Sequence, residues 1–304
     1  MAKEQNKKNS RRDFIKKLGI VGLGSASMAS IYFDKKTLEE KKPGEKIKVL
    51  TTDKKVVEVN VSDIIPVEEE VNTDKLQHRG RTGLVGKKFV MVIDLAKCKN
   101  ARKCMHACQS VHQLKPEQHH INVLQMEDEV NGATYFMPKP CMHCDEPQCV
   151  SVCPVGATFK RQDGIVLIDN EMCVGCRFCI AACPYSARSF NWTDPRDAEK
   201  YKDVPYDVEL NVPQKLGTVT KCAFSADRLR ENKLPYCVAS CPNGVYYFGD
   251  ANQDFVTNGT TRKTVRLSKL LKDNSAYTLL AELGTKPNVF YLPPNRKCEE
   301  PQTT

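Results

Sequence analysis

The sequence lacks any hydrophobic run long enough to cross a bilayer. Its longest apolar stretch, from Leu18 to Phe33, is shorter than the ~20 residues that a spanning helix needs. It also lacks a nucleophile paired with a base, and it lacks a phosphate-binding loop, because Gly22-Leu23-Gly24 follows no strand. These absences argue against an integral membrane protein and against a nucleotide-binding enzyme.

The chain beyond residue 55 has almost no net charge. Residues 56–304 contain 31 Lys and Arg against 30 Asp and Glu, whereas residues 1–55 contain 15 against 7. The net charge of +9 therefore lies almost entirely in the first part of the chain. Because a nucleic-acid-binding protein carries its basic face on the folded domain, this distribution argues against nucleic acid as a partner.

Two adjacent arginines stand in front of the apolar stretch. Arg11 and Arg12 follow a lysine-rich start, and small residues lie near its end at Ala29. A charged region, a short apolar region and paired arginines are typical of a twin-arginine signal peptide. The signal predicts export of the folded chain to the periplasmic, extracytoplasmic face of the membrane. No clean Ala-x-Ala site follows, so cleavage and retention as an anchor both stay open.

Fifteen cysteines are far above ordinary usage, and two complete sets of four each end in x3-Cys-Pro. One set has the bacterial ferredoxin spacing Cys-x2-Cys-x2-Cys-x3-Cys-Pro, in which the last cysteine binds the other cluster. Zinc and disulfides are the rival interpretations; the repeated ending argues against zinc, and folded export allows clusters to be inserted first. We predict two 4Fe-4S clusters, on Cys141, Cys144, Cys149 and Cys183, and on Cys173, Cys176, Cys179 and Cys153.

Two further cysteine sets, the first and the fourth along the chain, are each one ligand short. Ala101 stands at the second cysteine position of set one, and Ser225 at that of set four. If these sets exchange their last cysteines, the resulting three-cysteine sites are Cys98, Cys104 and Cys241, and Cys222, Cys237 and Cys108. Alanine cannot bind iron, so its site should hold a 3Fe-4S cluster, an open-site 4Fe-4S cluster or nothing. Ser225 could offer an alkoxide, but a plain hydroxyl is favoured because thiolates suit these clusters.

Histidine could replace a missing cysteine, as it does in Rieske centres. The candidates in or just beyond set one are His106, His112, His119 and His120. Histidines at such positions are more often exposed or hydrogen-bonded, so we assign none as a ligand. We interpret His143, inside set two, as tuning a cluster potential through a hydrogen bond, and the isolated Cys298 as a spare thiol.

The order of strand, cysteine loop, short helix and strand recurs along the chain, and such internal repeats define the fold. It predicts an α+β protein of tandem bacterial-ferredoxin-like βαβ cluster-binding units. Residues 191–217 should form a surface insertion, and residues 265–271 an amphipathic helix. The predicted regions are a signal peptide (1–33), a linker with a small hairpin and an extended arm (34–88), a polyferredoxin core (89–250) and a C-terminal tail (251–304).

The motifs Cys141-Met142-His143-Cys144 and Leu234-Pro235-Tyr236-Cys237 resemble those of four-cluster iron–sulfur subunits. Such subunits occur in molybdopterin oxidoreductases, periplasmic hydrogenases and sulfur-respiration membrane complexes, and the resemblance covers residues 89–250. It implies that set one pairs with set four and set two with set three, and that this chain is not catalytic. It also implies electron transfer between a molybdopterin enzyme or a multihaem cytochrome and a quinone-reactive membrane subunit, with the chain peripheral to the membrane.

Two other functions are compatible with the cysteine sets. The chain could be a scaffold subunit whose first and fourth sets have lost their clusters. It could also be a catalytic protein that binds substrate at an open-site cluster, although the sequence displays no acid–base groups for such a pocket. The iron content of the purified protein separates a full row of clusters from a partly empty one.

Overall fold

The computed structural model describes residues 79–129, 132–194, 198–201 and 204–294, together with the backbone of four strands before them. The chain divides into two units, Met1–Asn72 and Thr73–Thr304. Arg11 and Arg12 of the predicted signal peptide, and Cys298, lie outside the described residues. Within the described part of the chain, no helix is both long enough and apolar enough to span a membrane.

The first unit contains two pairs of strands. They are β1 (Tyr32–Asp34), β2 (Lys46–Leu50), β3 (Val56–Asn60) and β4 (Ile65–Val67). Strands β2 and β3 pair antiparallel, with Val49 opposite Val57, so the hairpin that alternating apolar residues indicated is present. Strands β1 and β4 pair in parallel.

The second unit holds all the described cysteines. Its strands are β5 (Phe89–Asp94), β6 (Asn122–Glu127), β7 (Thr134–Lys139), β8 (Thr158–Lys160), β9 (Val166–Ile168), β10 (Arg188–Phe190), β11 (Val219–Lys221), β12 (Tyr246–Asp250), β13 (Phe255–Asn258), β14 (Thr264–Arg266) and β15 (Val289–Leu292). Its helices are α1 (Lys103–Val111), α2 (Gln148–Ser151), α3 (Phe178–Ala181), α4 (Ala226–Leu229), α5 (Tyr236–Ser240) and α6 (Leu267–Asp273).

A five-stranded sheet in the order β14-β13-β12-β5-β15 forms the centre of this unit. Strand β5 is buried at every position, and it pairs antiparallel with β12 and parallel with β15. A strand with neighbours on both sides and both faces covered is apolar throughout, which explains the run Phe89-Val90-Met91-Val92-Ile93. Strands β13, β14 and β15 come from the predicted tail, so this part of the tail shares one sheet with the predicted core.

Two sequence expectations outside the cysteine sets are wrong in part. The helix expected at 265–271 begins only at Leu267, because Val265 pairs with Val256 in the sheet. The segment 191–217 is not simply a surface insertion, since Val208 and Glu209 are buried. The Glu209 carboxylate accepts hydrogen bonds from Arg161 at 2.6 Å and from Arg230 at 2.8 Å, which holds this segment on the core.

Short hairpins flank cysteine sets two and three. The pairs β6–β7, β8–β9 and β10–β11 are all antiparallel, and the one-turn helices α2 and α3 lie between them in the chain. Strand, loop, helix and strand therefore follow one another as the repeat predicted. None of these three pairs is a parallel βαβ unit. Residues 161–165 are short enough to permit only a hairpin between β8 and β9, whereas β10 and β11 pair antiparallel across the longer segment 191–218.

Candidate metal centres

The backbone passes through left-handed conformations in all four cysteine sets. A positive φ angle occurs two residues after the first cysteine of every set, at Asn100, His143, Gly175 and Phe224. Turns of this kind point successive N–H groups into one concavity, which binds anions and is used in many iron–sulfur sites. Sets one and four thus keep the same local backbone as the complete sets, although each lacks a cysteine.

The first site is a cavity that gathers sulfurs from sets two and three. The lining cysteines are Cys141, Cys144, Cys149 and Cys183, the four that the sequence assigned to one cluster. Burial and the neighbouring sulfur of Cys141 raise the pKa of the Cys144 thiol to about 12. Four thiolates this close need positive charge beside them, which iron supplies. The donor set fits a 4Fe-4S cluster.

The second site gathers the remaining sulfurs of the same two sets. Its lining cysteines are Cys153, Cys173, Cys176 and Cys179. Burial raises the pKa of Cys153, but backbone N–H groups that include that of Thr158 outweigh this effect and lower it below the ordinary value. Gly175 turns with a φ of +71°, and a Cβ there would lie 2.1 Å from the Gly217 carbonyl oxygen, so only glycine fits this loop. This donor set also fits a 4Fe-4S cluster.

The third site has three cysteines and a methyl group. Cys98, Cys104 and Cys241 line one cavity together with Ala101. Burial raises the pKa of Cys98 and of Cys104, and the sulfur of Cys241 raises both further. Three thiolates around a cavity with one apolar corner fit a three-iron cluster or a four-iron cluster whose last iron has no protein thiolate.

The fourth site brings together Cys108, Cys222 and Cys237, all of them buried. Burial raises the pKa of Cys237 well above its ordinary value, and the sulfurs of Cys222 and Cys108 raise it further. Ser225, at the missing position, accepts a hydrogen bond from the Tyr236 N–H at 3.1 Å. Its oxygen is therefore engaged as an ordinary hydroxyl acceptor at the start of α5, in line with the interpretation favoured from the sequence.

The four histidines near set one fall into two groups. His106 is exposed on α1, and a ring nitrogen of His119 lies 2.9 Å from the Gln109 side chain. His112 and His120 are buried beside Cys108, and one ligand atom from each of these three residues lies within 4.8 Å of the others. The sequence could not separate these groups, because which histidine turns inward depends on contacts with distant segments.

His143 belongs to the loop of set two, and its ring packs against the loop of set four. Its Nδ1 accepts a hydrogen bond from the Val166 N–H at 3.0 Å, and its ring stacks on Phe224 at a centroid distance of 3.7 Å. Burial, and then the charge of Lys221, lowers the pKa of His143 well below its ordinary value. The ring is thus held neutral between two cysteine sites, and its influence on a cluster potential stays a prediction.

Two buried cations were missed by sequence reasoning. Arg188 and Lys221 lie directly opposite each other across β10 and β11, although like charges in such a pair are destabilising. Burial lowers the pKa of Arg188, but the charges of Cys149 and Cys179 raise it above its ordinary value. Those two cysteines line the first and second sites respectively, so the cations offset the negative charge of two metal centres. The only sequence signal was the position of Lys221 directly before a cysteine.

These cavities and loops define the chain as an iron–sulfur protein with ferredoxin-like domains. Family models described as 4Fe-4S dicluster domains match residues 132–200, 195–251 and 90–154. Together the matches cover all four cysteine sets.

Similar proteins narrow this class further. One component of selenate reductase from Mesobacillus selenatarsenatis is 34% identical over 313 aligned positions, covering 96% of this chain and 100% of the relative. The iron–sulfur cluster-binding subunit of menaquinone reductase from Nitratidesulfovibrio vulgaris is 37% identical, covering 67% and 88%. One component of tetrathionate reductase from Salmonella typhimurium is 34% identical, covering 67% and 72%. This chain belongs to the family of iron–sulfur electron-transfer subunits of oxidoreductase complexes.

Proposed function

We propose that this chain carries electrons through four metal sites between a redox partner outside the cytoplasm and a quinone-reactive membrane subunit. One observation carries the proposal: two separate cavities each collect four cysteines, and each takes its cysteines from two different sets. A structural zinc site closes with four ligands, whereas the exchange of a last cysteine between sets belongs to two-cluster ferredoxins. Bound clusters would supply reversible one-electron oxidation and reduction.

The contacts between the four sites support an order in which electrons pass from one site to the next. Cys104 of the third site and Cys108 of the fourth lie one turn apart on α1. Burial raises the pKa of Cys222 in the fourth site, and the charge of Cys141 in the first site raises it further, to about 11, so these two sulfurs are close together. Arg188 stands between the first and second sites. The proposed order is therefore third, fourth, first and second, with 4Fe-4S clusters at the last two.

An exposed apolar surface beside the second site supports one end of this row as a partner contact. Val174, Phe178 and Trp192 are 64%, 60% and 67% exposed, and Cys176 is exposed among them. Contiguous apolar patches of this kind mark interaction sites. We place the extracytoplasmic partner at this surface. The resemblance of the cysteine motifs supports a molybdopterin enzyme or a multihaem cytochrome in that role. The twin-arginine motif at Arg11 and Arg12 supports export.

The test is the iron and acid-labile sulfide content of the anaerobically purified complex, together with its EPR spectra in oxidised and reduced states. Since a cluster holds three or four irons, the full row predicts about 14 to 16 irons per chain. About eight irons would instead favour the scaffold alternative, with only the first and second sites filled. Zinc without iron would contradict the proposal.

A further inference from the structure

The fourth site has an unfilled ligand position, and every other cysteine among the described residues belongs to one of the other three sites. Among the described residues its thiolates are Cys108, Cys222 and Cys237, and the Ser225 hydroxyl is already engaged by the Tyr236 N–H. Thiolates suit iron–sulfur clusters better than oxygen ligands do, and imidazole also binds iron. A histidine nitrogen close to these three cysteines is therefore the best candidate for the fourth ligand.

His112 offers such an atom. It follows Cys108 by four residues at the end of α1, and side chains at this spacing share one helix face. Its Nδ1 lies 2.6 Å from the Leu210 carbonyl oxygen. A carbonyl oxygen only accepts hydrogen bonds, so Nδ1 carries the proton and Nε2 carries a lone pair. Metal-binding histidines typically have this arrangement, with the second nitrogen donating to a backbone carbonyl.

A second buried imidazole supports the first. The rings of His112 and His120 are 5.0 Å apart, and His120 Nε2 lies 2.7 Å from the Thr220 hydroxyl. Its Nδ1 is buried without a hydrogen-bond partner among the described residues. Buried polar atoms in native proteins are nearly always satisfied, so an unpartnered nitrogen in the cluster with Cys108 and His112 indicates a group that the protein atoms alone do not provide.

The ring of His112 also contacts the residue that precedes Cys237. It packs edge-on against Tyr236 at a centroid distance of 6.5 Å, and Tyr236 directly precedes Cys237. The ring is thus bounded by the residue before one thiolate and by the helix that carries another. Both neighbours fix its orientation, because the Leu210 carbonyl holds one edge and the Tyr236 ring covers a side.

We propose that His112 Nε2 is the fourth protein ligand of the fourth site, where it binds the iron–sulfur cluster together with Cys108, Cys222 and Cys237. His120 acts as a positioning residue that packs the His112 ring. This inference rests on the proposed function, which places a cluster at the fourth site. A neutral imidazole in place of an anionic thiolate makes the cluster less negative, and it raises the reduction potential, as histidine does in Rieske centres.

The test is pulsed EPR of the reduced complex, which detects a nitrogen nucleus bound to a cluster. In the unchanged protein we expect one cluster with strong nitrogen coupling, and the coupling should follow 15N labelling of histidine. His112→Ala and His112→Cys should both lose it. His112→Cys should keep the full iron content, because a thiolate refills the position, and its fourth-site cluster should have a lower potential.

His106→Ala is the matched control, because His106 is exposed on the same helix; it should leave coupling and potential unchanged. The unchanged EPR signals of the first and second sites report that each variant has folded. Full iron content without nitrogen coupling would overturn the histidine ligand while leaving the four-site function intact. Coupling that survives His112→Ala and disappears in His120→Ala would overturn the assignment to His112. A fourth site without iron, or filled with zinc, would overturn both proposals at this site.

Discussion

Ala101 and Ser225 occupy equivalent positions in their cysteine loops, yet their side chains play different parts. Ala101 lines the third cavity and offers it no polar atom, whereas Ser225 accepts a backbone hydrogen bond at the start of α5. The same loss of a cysteine therefore leaves a methyl group at the third site and, at the fourth, a hydroxyl group that the backbone engages. Individual residues, rather than the loop backbone, decide how each site differs.

Replacing Ala101 with cysteine should complete the third site. The new thiolate would stand beside Cys98, Cys104 and Cys241, so the site should hold four irons with four protein ligands. We expect the iron content to rise by about one per chain if a three-iron cluster is present beforehand, and the EPR signal of the oxidised three-iron cluster to disappear. Ser110→Cys, on the exposed face of α1, adds a thiol without adding a ligand and should change neither measurement.

The charge of Arg188 should raise the reduction potentials of the first and second sites. The guanidinium is buried beside Cys149 and Cys179, and a nearby positive charge stabilises the more negative, reduced cluster. Arg188→Gln should lower both potentials by on the order of 50–100 mV, given Coulomb energies of a few kcal/mol at these distances. EPR-monitored redox titration measures the shift. Arg177→Gln, whose exposed guanidinium stacks on Trp192, should shift the second potential much less because solvent screens it; an equal shift would argue against the burial effect.

At the scale of elements, Asp145 joins three segments around the first site. Its carboxylate lies 2.7 Å from Lys88 Nζ before β5 and 2.8 Å from Lys160 Nζ at the end of β8. It also accepts a hydrogen bond from Asn288, just before β15, at 2.9 Å. The loop that follows Cys144 is thereby fixed to the central sheet, which holds the cysteine in place.

Asp145→Asn should lower stability by about 1 kcal/mol, a value that allows for solvent screening of a partly exposed group, and the apparent melting temperature by about 2 °C. Burial raises the pKa of Asp145, but hydrogen bonds from Lys160, Lys88 and Asn288 bring it to about 2, below the ordinary value of about 3.9. A lowered carboxyl pKa stabilises the fold above the unfolded pKa, and this stability is lost as the pH falls through the folded value.

The melting temperature of Asp145→Asn should therefore lie below that of the unsubstituted protein by the same amount from pH 5 to pH 8. Thermal unfolding under argon measures this difference. A difference that changes across this range would point to another titrating group. Glu146→Gln is the matched control, because Glu146 pairs with Lys286 at 3.3 Å while both side chains are mostly exposed. Its replacement should cost almost nothing.

For the whole molecule, the sequence predicted what depends on local spacing. Cysteines in a tight loop are placed by the loop itself, so the spacing indicated which sulfurs of sets two and three share a cavity, whereas the pairing of set one with set four came from the family resemblance. The spacing could not reveal β15 beside β5, because a pairing between Met91 and Val289 leaves no local pattern. The same holds for the contact between His112 and Leu210, which are 98 residues apart, and for the opposition of Arg188 and Lys221. Long-range pairing set the surroundings of the sites, and local spacing set the positions of their cysteines.

At the scale of the whole chain, we predict that the clusters are inserted before the protein is exported. A chain with fifteen cysteines that crosses the membrane unfolded would meet an oxidising compartment before iron, and its thiols would form disulfides. Replacing residues 1–33 with a signal for unfolded export should therefore give an exported chain with little iron and with mixed disulfides. The double change of Arg11 and Arg12 to lysine should instead keep an iron-loaded chain in the cytoplasm. Cell fractionation with iron analysis and thiol titration distinguishes these outcomes, and a fully iron-loaded protein exported by the replaced signal would show that folding before export is not required.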